Sequence, residues 1–333
     1  MKSHILKMHS LDSIPNNSGG GHRGEIIPLV VILGPTAVGK TEITLELAER
    51  FPSEIVSADS RLLYRGMDIG TAKPSLAERA RIPHHLFDVA EPDQIWSLAN
   101  YQSAAKKAIL ETARRNHLPF LVGGSGQYIK AVTQGWIIPS VAPDTRLRAA
   151  LENWSLETGA QGLHRRLSTL DREAASEIEP NNLRRTIRAL EVIFSTGNLF
   201  SKQRKKSNTP YQKLVLGLQR QRPALYERVD LRIDRMFASG FIEDVKKLLD
   251  AGYSPELPSM SAIGYRQVIS YLQGEISIDE AVAQIKKATR VFVRRQANWF
   301  KLDDPSICWY EVGQRTVDEI SKKIQKWLDS NGR

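Results

Sequence analysis

The chain has 333 residues, 41% of them hydrophobic and 25% charged, which is enough to bury one large core or two smaller ones and excludes disorder as the main state. Its formal charge of +10 favours a polyanionic partner, because clustered Lys and Arg release counterions on neutralising phosphates, although a solvated basic surface carries the same charge. A single cysteine, Cys308, excludes an intrachain disulfide and a cysteine-rich zinc site and fits a reducing cytoplasm; no apolar run is long enough to cross a bilayer, so no membrane is expected.

Residues 1–25 include Asn16-Asn17-Ser18-Gly19-Gly20-Gly21, a composition that buries too little apolar surface to offset its ordering entropy, and read as a flexible extension. Residues 28–33 form a short β-rich apolar run ending at Gly34, the pattern of a buried parallel strand. A helix is expected over 41–50 and a second strand over 54–58, with Asp59 at its carboxyl end. Helical periodicity spans 97–116, and 119–122 is a further apolar strand closed by Gly123 and Gly124. Strand and helix in alternation imply an α/β sheet that binds ligands at the carboxyl ends of its strands. From about 143 to 200 the pattern turns helical, rich in Arg, Glu, Ala and Leu, and reads as an insertion. A strand over 213–218 restores the α/β pattern, Pro223 falls where the first turn of a helix tolerates proline, and helices follow apart from a strand at 307–310. The expected fold class is α/β, a P-loop NTPase-like parallel-sheet core (26–136 and 206–333) with an inserted all-helical domain (137–205).

Gly34-Pro35-Thr36-Ala37-Val38-Gly39-Lys40-Thr41 matches G-x-x-x-x-G-K-[ST] between an expected strand and an expected helix, the context such a loop requires. Its glycines let backbone N–H groups turn towards an anion, and the helix N-terminus adds favourable dipole charge. Lys40 can neutralise phosphate oxygens, and the Thr41 hydroxyl can ligate Mg²⁺ or one of its waters. The motif points to a diphosphate group and leaves open which one.

The residues that follow narrow the choice. The block from Ser57-Ala58-Asp59-Ser60-Arg61-Leu62 to Gly70-Thr71-Ala72-Lys73-Pro74 closely resembles the one that follows the P-loop in tRNA dimethylallyltransferases. So do Pro83-His84-His85-Leu86, Gly123-Gly124-Ser125-Gly126-Gln127-Tyr128, Arg188-Ala189-Leu190-Glu191-Val192, Ala262-Ile263-Gly264-Tyr265-Arg266, and the stretch from Thr289-Arg290 through Arg294-Arg295-Gln296 to Trp299-Phe300. These lie in the family's order and span 28–302. The resemblance implies transfer of a dimethylallyl group from dimethylallyl diphosphate to N6 of the adenine just 3′ of the tRNA anticodon, with Mg²⁺; the expected partner is the tRNA anticodon stem-loop, and the expected state a monomer in the cytoplasm. Ser125 stands where the family usually has Thr, and Gln127 where it commonly has Leu, which affects local contacts to the nucleotide.

The resemblance also implies roles. Asp59 takes the general-base position, since alkylation of N6 builds positive charge on nitrogen and a carboxylate in reach can accept its proton. By its residue type alone, Asp59 could equally hold Mg²⁺ through water or cap a turn. Arg232 matches the family's diphosphate-binding arginine, placed with Lys40 to stabilise the departing diphosphate. Its neighbours Arg228 and Arg235 read as salt-bridge partners of Asp230 and Asp234, although Arg228 and Arg232 share one helix face. Asp59, Ser60, Arg61, Leu62 and Ser125 match positions that contact the target nucleotide. Arg148, Arg184, Arg185 and Arg188, together with Ala262, Ile263, Gly264, Tyr265 and Arg266, match tRNA-contacting positions. Pairing of the insertion's arginines with Glu179 and Glu191 is the alternative.

Other features read as structural. The basic run Lys202, Arg204, Lys205 and Lys206 suits a solvated linker better than contact with tRNA phosphates; adjacent His84 and His85 would face opposite ways on a strand and so would not chelate one metal; Trp299 and Phe300 suit the core better than a base-stacking surface, and Cys308 suits inert filling. Three rivals share parts of this pattern: a P-loop kinase of small hydroxyl compounds, an isopentenyltransferase of free adenine nucleotides, and a non-catalytic tRNA-binding protein. The first does not explain the insertion, the second does not need its basic helices, and the third has little use for an intact Gly39-Lys40-Thr41 with Asp59.

Overall fold

A computed structural model describes residues 26–139, 141, 143–203 and 206–330. The expected N-terminal extension, Arg204 and Lys205 lie outside the described residues. The first half runs β1 (Ile27–Leu33), α1 (Lys40–Ala48), β2 (Ser53–Ser57), α2 (Leu76–Arg81), β3 (His84–His85), α3 (Leu98–Arg114), β4 (Leu118–Gly123) and α4 (Gly126–Thr133). Four helices follow: α5 (Thr145–Leu170), α6 (Arg172–Ser176), α7 (Leu183–Thr196) and α8 (Phe200–Gln203). The chain then forms β5 (Tyr211–Gln219), α9 (Arg222–Ala238), α10 (Phe241–Asp250), α11 (Tyr265–Leu272), α12 (Ile278–Ala297), β6 (Cys308–Glu311) and α13 (Thr316–Asp329).

The six strands form one parallel sheet in the order β3-β2-β4-β1-β5-β6. All seven residues of β1 are buried, as a central strand covered on both faces demands. Its side chains alternate between two cores. Val30 and Ile32 meet α1, α9, α12 and α13 on one face, whereas Leu29, Val31 and Leu33 meet Tyr101, Ala105 and Ile109 of α3 and Ile129 of α4 on the other. The α/β class expected from the sequence is therefore observed. The two-residue β3, the one-and-a-half-turn α2, closed by a Ser75–Glu78 capping box, and α4 carry periodicity too short to show in the sequence.

Helices α5 to α8 surround a separate core of Leu151, Leu163, Leu167, Ile187 and Leu190. The chain leaves and rejoins the sheet at one neck, where Trp136 and Lys206 form an antiparallel bridge and Ser207 N–H donates to Gly135 O at 2.8 Å. Helix α5 is broken at Gly159, whose φ of 72° lies in the left-handed region that glycine adopts without steric cost.

Register places the site. Leu33 pairs with Gly123 of β4 and with Gly217 of β5, and Ser57 of β2 pairs with Val122. The carboxyl ends of β1, β2 and β4 therefore finish level, about 4.8 Å apart. The loop after β1, Asp59 after β2 and Ser125 after β4 emerge side by side.

Candidate active site

The loop between β1 and α1 holds its shape through side chains that arrive from remote elements. Gly34 passes so close to β5 that a Cβ there would lie 2.7 Å from Leu218 O. Gly39 is the left-handed N-cap of α1 at φ 110°, and Ala37 takes a positive φ of 65°, which costs a residue with a Cβ about 1–2 kcal/mol. The carbonyls of Ala37 and Val38 are tied down by Arg228 Nε at 2.9 Å and Arg220 Nε at 3.0 Å. With those carbonyls held on the outside of the turn, the loop's free N–H groups and the first turn of α1 are left for an anion. Lys40 folds over the loop, its Nζ donating to Gly34 O at 3.0 Å and Pro35 O at 2.8 Å. Thr41 is exposed at the start of α1.

Lys40, at the end of this loop, feels the charges of Asp59 and Arg232, which come from distant points of the sequence. Dehydration lowers the Lys40 ammonium pKa to about 8; the Asp59 carboxylate pulls it up, and the Arg232 guanidinium pushes it further down. Arg232 is itself lowered by burial, against the attraction of Asp59, and its Nη2 donates to Thr71 O at 3.1 Å. Asp59 Oδ1 accepts Arg61 N–H at 2.9 Å, so one oxygen caps the turn that the sequence allowed for. Ser125 Oγ accepts Ser60 N–H at 3.2 Å and so links the end of β4 to the turn that carries Asp59. Beneath them Tyr101 and Tyr128 stack at 3.8 Å and 21°, and the Tyr101 hydroxyl donates to Ser57 O at 3.0 Å. Two cations and a carboxylate beside a turn of free N–H groups can stabilise a leaving anion and accept a proton at the same place.

Residues 62–303 match the model of a family described as IPP transferase. The chain belongs to the IPP transferase family. It is similar to the tRNA dimethylallyltransferase of Roseiflexus sp., 52% identical over 305 residues that cover 92% of this chain and 100% of that one. The tRNA dimethylallyltransferase of Dehalococcoides mccartyi is 45% identical over 308 residues, covering 92% and 95%. Among solved structures, the full-length tRNA isopentenylpyrophosphate transferase of Bacillus halodurans superposes with a TM-score of 0.68 at 39% identity, covering 91% of this chain and 97% of that one.

Several residues of this IPP transferase sit elsewhere than the sequence suggested. Arg228 does not pair with Asp230 or Asp234; it reaches the P-loop and Glu42, while Asp230 pairs with Arg290 and Asp234 with Lys286 at 2.6 Å. The i, i+4 spacing to Arg232 already put it on the right face. Arg235 is exposed. Arg61 is partly buried and donates to Pro258 O and Ser259 O at 3.0 and 3.3 Å; Leu62 is partly buried beside it. In the insertion, Arg148 and Arg188 both pair with Glu191, at 2.8 and 2.6 Å, and Glu191 is wholly buried. Arg184 and Arg185 are exposed. Ala262 and Tyr265 belong to the core, Gly264 is buried at φ 101°, Ile263 is partly buried and Arg266 exposed, so the accessible groups of that segment are few. Trp299 is not core: it is 37% exposed, with Lys130 over its ring at 5.6 Å. Phe300 is partly buried and Cys308 intermediate. His84 and His85 diverge as expected, to Ile82 O and to Glu54, each at 2.6 Å. Lys206 is exposed at the neck.

Two contributors escaped the sequence. Arg220 lies at the end of β5 with no motif around it. Gln296 stands inside a resembling block, but nothing in its spacing says that its Oε1 accepts Thr36 N–H at 2.8 Å. No helix among the described residues is long and apolar enough to cross a membrane.

Proposed function

We propose that this chain transfers the dimethylallyl group of dimethylallyl diphosphate to N6 of the adenine immediately 3′ of the anticodon in tRNA. The observation that carries the reading is the convergence of Lys40, Asp59 and Arg232 on one phosphate-binding turn, in a chain whose relatives are named tRNA dimethylallyltransferases. N6 attacks C1 of the dimethylallyl group, the C1–O bond breaks, and its electron pair leaves with the diphosphate. Asp59 takes the N6 proton through the oxygen that the Arg61 turn leaves free. Lys40, Arg232 and the loop N–H groups offset the charge that grows on the diphosphate.

The reading includes Mg²⁺. The exposed Thr41 hydroxyl at the head of α1 fits such an ion, and no cluster of His, Cys, Asp and Glu among the described residues would compete for it. When bound with the diphosphate, the ion adds positive charge at the leaving group. Adenine in a folded anticodon loop presents N6 poorly, so the base leaves its stack and is held beside Ser60, Arg61, Leu62 and Ser125. The insertion, 137–205, grips the anticodon arm through Arg184 and Arg185, joined by Arg266 on the core. A monomer in the cytoplasm completes the proposal. Incubation with radiolabelled dimethylallyl diphosphate and unmodified total tRNA, followed by nucleoside analysis, should yield prenylated adenosine; label found only on free adenine nucleotides, or ATP consumed in place of the diphosphate, refutes the reading.

A further inference from the structure

Gln296, in the last turn of α12, is 7% exposed and uses both ends of its amide. Its Oε1 accepts Thr36 N–H of the P-loop at 2.8 Å, and its Nε2 donates to Gly124 O at 3.1 Å. Gly124 opens the turn that carries Ser125, and Ser125 Oγ holds Ser60 N–H beside Asp59. One side chain thus joins the turn that cradles the diphosphate to the turn that borders the acceptor. The glycines of the β4–α4 turn are cut to fit this brace. A Cβ on Gly124 would lie 2.4 Å from Gln296 Nε2, and a Cβ on Gly126 would lie 2.2 Å from the Trp299 ring, one turn further along. The same helix fixes the third part of the site, since Arg290 and Lys286 pair with Asp230 and Asp234 on either side of Arg232.

The chemistry of the residue type matters. Bridging an N–H on one side and a C=O on the other needs an acceptor and a donor at the end of one chain, which the glutamine amide offers on two separate atoms and without a charge. Its Oε1 also claims the Thr36 N–H, so that amide points at Gln296 and not at the anion.

We infer that Gln296 is a positioning residue for group transfer, which sets the separation between the diphosphate cradle and the acceptor-side turn without touching either substrate. The inference rests on the transfer reaction proposed above. Displacement shifts the donor carbon relative to N6, and a misplacement of about 1 Å costs on the order of 10²-fold in rate. Binding of each substrate draws on groups that Gln296 does not supply.

The test is single-turnover transfer, at saturating dimethylallyl diphosphate and tRNA, by wild type and Gln296→Met, which keeps length and volume and removes both hydrogen bonds. The expected result is a transfer rate at least about tenfold lower, with the apparent affinity for each substrate within about threefold. Should Gln296→Met melt below the assay temperature, Gln296→Asn, which keeps the amide but is too short to span both partners, must show the same split. Transfer at the wild-type rate by a folded variant overturns the inference, and so does a loss that appears wholly as weaker diphosphate affinity. Absence of transfer by wild type would instead overturn the proposed function, so the two failures are told apart.

Discussion

At the scale of the residue, Asp59 has two duties that one substitution can separate. Asparagine keeps an oxygen for the Arg61 N–H and so preserves the turn, but it cannot accept a proton. Asp59→Asn should therefore lower transfer by about 10²–10⁴-fold while leaving both substrate affinities near those of wild type. Wild-type turnover by Asp59→Asn would assign the carboxylate to the turn alone. Lys40 makes a prediction about pH. With its pKa lowered to about 8 in the free site, it is charged below that pH and progressively neutral above it. A bound diphosphate restores the charged form and raises the pKa, so binding above pH 8 must take up a proton, and affinity falls as pH rises through that range. Calorimetry of inorganic diphosphate at about pH 8.5, in buffers of different ionisation enthalpy, should detect that uptake in wild type and not in Lys40→Arg. Equal uptake by both would remove Lys40 as its source.

At the scale of the element, α7 divides its arginines by what lies behind them. Glu191 is wholly buried and receives Arg148, Arg188 and the Asp144 N–H, interactions that hold its carboxyl below the usual range against the opposing effect of burial. Arg188→Ala or Arg148→Ala should cost about 1–3 kcal/mol of stability, because a buried carboxylate loses one of its two charged hydrogen-bond partners. Arg184 and Arg185 face solvent, so replacing both with Ala should leave thermal melting unchanged. That double variant should weaken tRNA binding and flatten the slope of log affinity against log salt by about 0.7–0.9 for each phosphate no longer neutralised. An unchanged slope in the folded variant would take the anticodon arm away from this helix face. A substitution of all four arginines would mix the two effects and inform on neither.

At the scale of the whole molecule, the sheet edge far from the P-loop is locked by Glu54. Its side chain is 3% exposed and is hydrogen-bonded by Arg115, His85, His117 and Thr112, which ties β2 to β3, to α3 and to the approach to β4. The Arg115 guanidinium first, with His85, His117 and Thr112 and against burial, holds this carboxyl far below the usual range. A depressed carboxyl stabilises the fold above its unfolded pKa of about 4.3 and withdraws that contribution as pH falls towards its folded value. Glu54→Gln should therefore lower the melting temperature at neutral pH and make the acid limb of stability shallower than in wild type. Parallel acid limbs for the two proteins would show that Glu54 does not set acid stability.

The division between what the sequence determined and what the fold decided follows the range of the forces involved. Local steric and periodic rules wrote the parallel strands and their flanking helices into the residues, and the P-loop declared itself because a turn, its glycines and its lysine lie within eight consecutive positions. Asp59 was legible as the residue after a strand. Its role came from resemblance, since a lone carboxylate fits three chemistries. What no local rule contains is which distant side chain reaches which backbone group. Arg228 to Ala37 and Gln296 to Thr36 span 191 and 260 positions. Arg148, Arg184 and Arg188 match tRNA-contacting positions by resemblance, with pairing to Glu179 and Glu191 as the alternative for the insertion's arginines; helical spacing puts Arg184 and Arg188 on one face but cannot say that Glu191 is buried and holds Arg148 and Arg188. Spacing fixes direction within an element; only packing the elements together fixes the partner, because a hydrogen bond requires atoms within about 3 Å and the sequence carries no distance between elements.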